Sequence, residues 1–94
     1  MDQPAALELL LATHEFPCRF LFKAIGRTDG SFAEQVVAVV RAELDHDFDS
    51  PFSLKHTAGG RHVSVTIEPW IETAEQVLAV YACIRTVPGL VMLM

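Results

Sequence analysis

The sequence has no asparagine, only two cysteines, one tryptophan and one tyrosine, and seven basic residues against twelve acidic ones. Each shortage removes a class of function. Cys18 and Cys83 are too few and too widely spaced for a disulfide framework or a zinc knuckle, and both fall where small buried hydrophobes fit. A reduced cytoplasmic setting is therefore expected. A formal charge of −5 at pH 7 repels a phosphate backbone unless the basic residues gather on one patch. They are scattered along the chain, so no nucleic-acid partner is expected. Although 51% of the residues are hydrophobic, no apolar run approaches the ~20 residues of a spanning helix. The stretch Leu7 to Ala12 is accompanied by Asp2 and Glu8 rather than by a basic region, and neither export nor membrane insertion is indicated.

What is present is an ordered alternation of hydrophobic periods. At 94 residues the chain reads as one domain, 1–94, able to bury ~60 to 65% of its unfolded surface. After an N-terminal arm or short helix over 1–14, with Asp2 as cap and Leu7, Leu10 and Leu11 as its stripe, Pro17 breaks the pattern. Residues 18–26 alternate, placing Cys18, Phe20, Phe22 and Ala24 on one side and Arg19, Leu21, Lys23 and Ile25 on the other. Ser31 and Glu34 have the spacing of a capping box, and Ala33, Val36, Val37, Val40 and Leu44 then share a helix face.

Two strands, 52–57 and 62–68, flank Gly59-Gly60, which reads as a two-residue hairpin loop pairing Thr57 with His62 and Lys55 with Ser64. That register puts Phe52, Leu54, Val63, Val65 and Ile67 on one inner face. Thr73 and Gln76 form a second capping box, opening a helix with Ala74, Val77, Leu78, Tyr81 and Ile84 inward. After Pro88-Gly89, Leu90 to Met94 is a last apolar strand, suited to cover on both faces or to an oligomer interface. The order predicts an α+β, ferredoxin-like βαββαβ sandwich: a four-stranded antiparallel sheet with two helices on one face.

No complete catalytic or metal motif accompanies this fold. The hairpin register sends His56 and His62 to opposite faces, while His14 and His46 have no companion at ligand spacing, so no metal is expected. Heavy-metal carriers of this fold place two cysteines after the first strand, where this chain has none. The acidic run Glu43, Asp45, Asp47 and Asp49 lacks the glycine and terminal glutamate of a calcium loop and reads as a solvated segment. Gly26-Arg27-Thr28-Asp29-Gly30-Ser31-Phe32 faintly resembles the phosphate cradle of acylphosphatases, but Glu34 stands where their arginine falls and the water-positioning asparagine is missing. RNA-recognition domains stack bases on outward aromatics of the central strands, where the third strand here offers His62, Ser64, Thr66 and Glu68. No serine sits in a G-x-S-x-G turn. No catalytic residue and no cofactor are assigned.

Glu15-Phe16-Pro17, Phe20, Lys23, Gly26, Gln35-Val36-Val37, Val39-Val40, Val63 to Ile67, Glu75-Gln76-Val77 and Tyr81 together resemble the YbeD-like family of small bacterial proteins, over about residues 7 to 94. The resemblance implies a cytosolic protein of undetermined function with a fold similar to ACT regulatory domains, and it supplies no catalytic residues. The chain departs from the family by a slightly longer N-terminus and a shorter hairpin turn.

The expectation is thus a non-enzymatic ACT-like module that binds a small metabolite or modulates a partner protein, as a homodimer. Gly26, Arg27, Asp29, Gly30 and Ser31 are the ligand-site candidates, because a glycine-rich turn exposes N–H groups that receive a carboxylate. Leu21, Ile25 and the last strand are candidates for burial between subunits. The rival is an adaptor that binds a protein partner through the open sheet face around Lys23, Lys55, His62 and Glu68.

Overall fold

A computed structural model describes residues 3–94. In chain order its elements are α1 (Gln3–Thr13), β1 (Cys18–Arg19), β2 (Phe22–Arg27), α2 (Phe32–Glu43), β3 (Phe52–His56), β4 (His62–Ile67), β5 (Trp70–Ile71), α3 (Ala74–Arg85) and β6 (Leu90–Leu93). The expected cap at Asp2 lies outside the described residues. The main sheet is antiparallel, in the order β3-β4-β2-β6, and α2 and α3 cover one face of it. This is the ferredoxin-like plait, with β2 central.

The inner face of β2 explains why the helices lie where they do. Phe22 and Ala24 are buried beside Val63, Val65 and Ile67 of β4, and Val36, Val37 and Val40 of α2 close over them. Valine costs helix propensity, so α2 is held by this packing rather than by local preference. Each such side chain, fully buried, contributes about 1.5–3 kcal/mol. A chain of rings extends the core sideways: His14 lies 4.9 Å from Phe20, Phe20 5.0 Å from Phe22, and Phe22 meets Tyr81 edge-on at 4.9 Å.

Several expectations need correction. The first strand is not continuous over 18–26: β1 pairs with β5 in the same register that joins β2 to β4, and the ladder fails between them where Pro69 has no N–H to give. The hairpin keeps the predicted register, with Lys55 opposite Ser64, but the chain reverses over Thr57–Gly60, where the Gly60 N–H donates to the Thr57 carbonyl and Gly60 takes φ 70°. Phe52 and Leu54 face the helix side yet stay 47% and 43% exposed, because β3 is an edge strand lying beyond the reach of α2. In α3 it is Val80 that is fully buried, while Leu78 and Tyr81 are half-buried beside α1. β6 is also an edge, and Val91 and Met92 are bare rather than covered on both faces. Neither Cys18 nor Cys83 is buried.

The two helix starts differ. At α3 the Thr73 hydroxyl accepts from the Gln76 N–H at 3.3 Å, and the Gln76 side chain accepts from the Glu72 N–H at 2.7 Å, a capping box displaced by one residue. At α2 the Ser31 side chain makes no cap bond, and its hydroxyl accepts instead from Gln35 Nε2 at 2.8 Å. The predicted Ser31–Glu34 box is therefore absent. In urea unfolding, Thr73→Ala is expected to cost about 1 kcal/mol, and Ser31→Ala less than about half of that.

Candidate functional site

The loops at one end of the sheet converge around the β2–α2 connection. Gly26 makes this possible: a Cβ there would run into the ring of Phe32, so the first residue of α2 packs directly onto the strand's backbone. The chain between them is short and well tied. The Arg27 N–H donates to the Gly89 carbonyl at 3.0 Å, the Thr28 N–H donates to the Arg61 carbonyl at 3.0 Å, and the Thr28 hydroxyl donates to the Gly60 carbonyl. The Arg27 guanidinium pairs with the Asp29 carboxylate, both well exposed.

Two clefts flank this connection. One, of about 240 Å³, is lined by Arg27, Asp29, Gly30, Ser31, Gln35 and Gly89 among others. The second, of about 350 Å³, runs from Arg27, Thr28 and Asp29 to Gly60, Arg61 and His62 of the hairpin. All five predicted ligand-site residues meet here, with Gly26 beneath the floor rather than in the lining. Thr28, Arg61, Gln35 and Gly89 were missed. The β2–β4 register, which places Arg27 opposite His62, is the signal that could have drawn in the hairpin residues. The first-turn N–H groups of α2 point toward this end without a side-chain cap.

Lys23, Lys55, His62 and Glu68 lie on the sheet face away from the helices, but they form a stripe rather than one spot. Lys23 is opposite Thr66 and Lys55 opposite Ser64, while His62 opens β4 and Glu68 lies just past its end, about 20 Å away. The same face turns apolar toward β6, where Ile25 is opposite Met92, Met94 exchanges backbone bonds with Lys23, and Leu21 is exposed.

No cluster suited to a metal occurs among the described residues. His46 is half-buried, stacked on Phe48 at 5.3 Å, with Nδ1 unpartnered. The acidic run after α2 is exposed, with Arg41 Nη1 donating to Asp49 at 2.9 Å. Cys83 donates to Glu43 at 3.1 Å, and this hydrogen bond to a carboxylate, with burial and the negative charge added, raises the thiol pKa. Burial raises the Tyr81 hydroxyl pKa against the opposing pull of Arg85.

Comparison with known proteins places the chain in a family and matches its fold. The family model described as "Protein of unknown function (DUF493)" matches residues 12–94. The chain belongs to this family. Its relatives include a UPF0250 protein of Shewanella amazonensis, 35% identical over 75 residues that cover 80% of this chain and 83% of that protein. A UPF0250 protein of Paraburkholderia phytofirmans is 32% identical, with 79% and 83% covered. These matches uphold the YbeD-like membership expected from the sequence. Among solved structures, the ACT domain from the GTP pyrophosphokinase of Chlorobium tepidum superposes with a TM-score of 0.58, covering 82% of this chain and 97% of that one at 14% identity, a likeness of fold. Among the described residues, no helix is long and apolar enough to cross a membrane.

Two measurements test the site's construction. Gly26→Ala drives a methyl into Phe32 and is expected to cost about 1–3 kcal/mol in urea unfolding, whereas Gly30→Ala, with open space and no positive φ, is expected to be neutral or stabilising by up to about 1 kcal/mol. Glu43→Gln weakens the hydrogen bond and removes the negative charge that together favour the protonated Cys83 thiol, so Cys83 alkylation at pH 8 is expected to quicken. Because the folded thiol pKa is raised, this contribution to stability is present below the unfolded thiol pKa and lost as pH rises through the folded value.

Proposed function

We propose that the protein is a non-enzymatic, ACT-like regulatory module that takes a small carboxylate metabolite at the β2–α2 connection and acts on a partner as a homodimer in the cytoplasm. The observation that carries this reading is the uncapped start of α2 beside the Arg27 cleft. Ser31 spends its hydroxyl on Gln35, so the first-turn N–H groups of α2 remain available next to a guanidinium. Together they offer a carboxylate hydrogen-bond donors, a favourable helix dipole and a positive charge. Asp29 holds Arg27 in place and competes for it, which favours ligands whose carboxylate engages the backbone first and whose amino group meets Asp29. An amino acid has both groups.

A second reading is an adaptor with no small ligand. The polar stripe of Lys23, Lys55, His62 and Glu68 favours it, since among the described residues the helices α2 and α3 pack on the opposite face of the sheet.

A thermal-shift panel of amino acids and carboxylic acids separates the two. A ligand at 100 times its dissociation constant is expected to stabilise the fold by ~2.7 kcal/mol, a shift of several degrees for a domain of this size. Gly30→Val, which the open space at Gly30 tolerates, is expected to abolish the response while leaving the unliganded melting temperature nearly unchanged. Equal losses of binding and stability would mark the loop as a turn only. Silence across the whole panel would favour the adaptor.

A further inference from the structure

α1 is apolar on more than one side: Ala6 is buried where the helix meets α3 and Leu10 is half-buried, while Leu9 stays 60% exposed. Beside that contact a cleft of about 400 Å³ opens between α1, α3 and the end of β6, with Leu10, Leu78 and Leu93 half-buried within it and Leu9 and Met94 at its open side. Its polar side chains are those of Tyr81 and Arg85. We propose that this cleft binds an apolar-tailed monocarboxylate of the fatty-acid class, with the chain among the leucines and the carboxylate on Arg85. The site is separate from the β2–α2 connection, since the cleft shares no lining residue with the two found there.

Size and charge select the occupant. A ten-residue helix, ~10 Å across and ~15 Å long, displaces ~1,200 Å³ and does not fit, whereas small-molecule sites span roughly 300–1,000 Å³ and are mostly apolar with a few placed polar groups. An apolar lining with one charge calls for a ligand with a long apolar part and one ionised group. Arg85 sets its sign. Among the described residues Arg85 has no ion-pair partner, and its guanidinium lies over the Tyr81 ring, 5.9 Å from the centroid. That stacking holds the fork beside the phenol and leaves its N–H donors for a ligand. The Tyr81 hydroxyl is a second donor, kept protonated near neutrality because burial raises its pKa. Together they match the two oxygens of a carboxylate. No acidic side chain lines the cleft to compete for them. Glu75 lies ten residues before Arg85 on α3, ~15 Å along the axis, and Glu8 is exposed outside the lining. The Met94 carbonyl accepts from the Lys23 N–H at 3.1 Å, which turns the end of β6 toward β2. A single uncompensated positive charge suits a monoanion.

Isothermal titration of the full chain with saturated fatty acids, kept below their micelle concentrations, tests this, with circular dichroism melts establishing that each variant folds. Over chains of ~6 to ~12 carbons, binding is expected to saturate at one acid per chain and to tighten about fourfold per added methylene until the cleft is filled. Arg85→Gln is expected to weaken the acid about tenfold while leaving the alcohol of equal length unchanged, because only the ionised head uses the guanidinium. Leu9→Asp, at an exposed position, is expected to weaken the longer acids about tenfold or more, and Met94→Asp serves as well if that variant does not fold. Absence of saturable binding along the whole series overturns the proposal. So does an affinity that ignores chain length, or an Arg85→Gln variant that weakens acid and alcohol alike. Binding that survives Leu9→Asp but is lost with Gly30→Val also overturns it, since the acid then sits at the β2–α2 loop. The response to amino acids is read with different ligands and a different variant, so either proposal fails without the other.

Discussion

The ring of Phe32 lies on the backbone of Gly26, and the placement of α2 depends on that contact. Side-chain size along the inner face of the central strand falls from Phe22 through Ala24 to Gly26, so the helix comes closest where the strand is thinnest. Close packing makes such a taper specific, since a single added methyl has nowhere to go. The consequence runs outward. With Phe32 pinned, residues 27–31 are held over the end of the sheet, and their backbone ties reach both the hairpin and Gly89. The candidate ligand site is thus a by-product of how the core begins its first long helix.

The same packing decides what stays uncovered. Two helices cover roughly the width of the two central strands, so a four-stranded sheet leaves its edge strands with inner faces only partly sheltered. At β6 the C-terminal run answers this with Leu93 turned in and Met92 turned out. At β3 the inner Phe52 and Leu54 are large and apolar, and α2 shelters them only from one side. An edge of this kind is normally blunted by charge, proline or a bulge. Here Pro51 precedes the strand, and Lys55 places a charge on its far side.

How much of this was legible in the sequence follows from the range of each interaction. The element order, the hairpin register and the inward turn of Phe20 and Phe22 were legible, because period and turn chemistry act within a few residues. The Thr73–Gln76 start was legible for the same reason, whereas Ser31, with equal local credentials, gave its hydroxyl to Gln35 once Phe32 had fixed the entry of the chain. What was not legible depends on the widths of layers. Nothing local says that Phe52 and Leu54 lie beyond the helices, or that Val80 rather than Leu78 is sealed against the core. The break at Phe20–Leu21 needed the partner strand as well, since Pro69 withholds its N–H from across the ladder. Gly26 through Ser31 drew notice as a turn, but Arg61 joins that site only through the pairing of β2 with β4.

The proposed recognition role makes few demands on the distribution of charge. General acid–base work needs titratable groups whose environments push their pKa values apart inside a sheltered cavity. The groups displaced here are the Tyr81 hydroxyl and the Cys83 thiol, both pushed upward, away from the range where either would act as a nucleophile near neutrality. Both sit on α3, and neither lines the open clefts at the β2–α2 loop. Arg27 and Asp29 at the loop are exposed and already paired, an arrangement that can orient a bound ion but stores little driving force for bond breaking. A site whose donors are mostly backbone N–H groups, set by a glycine and a ring, is rigid and selective for shape and charge. Those are the properties that the proposed sensor role calls for.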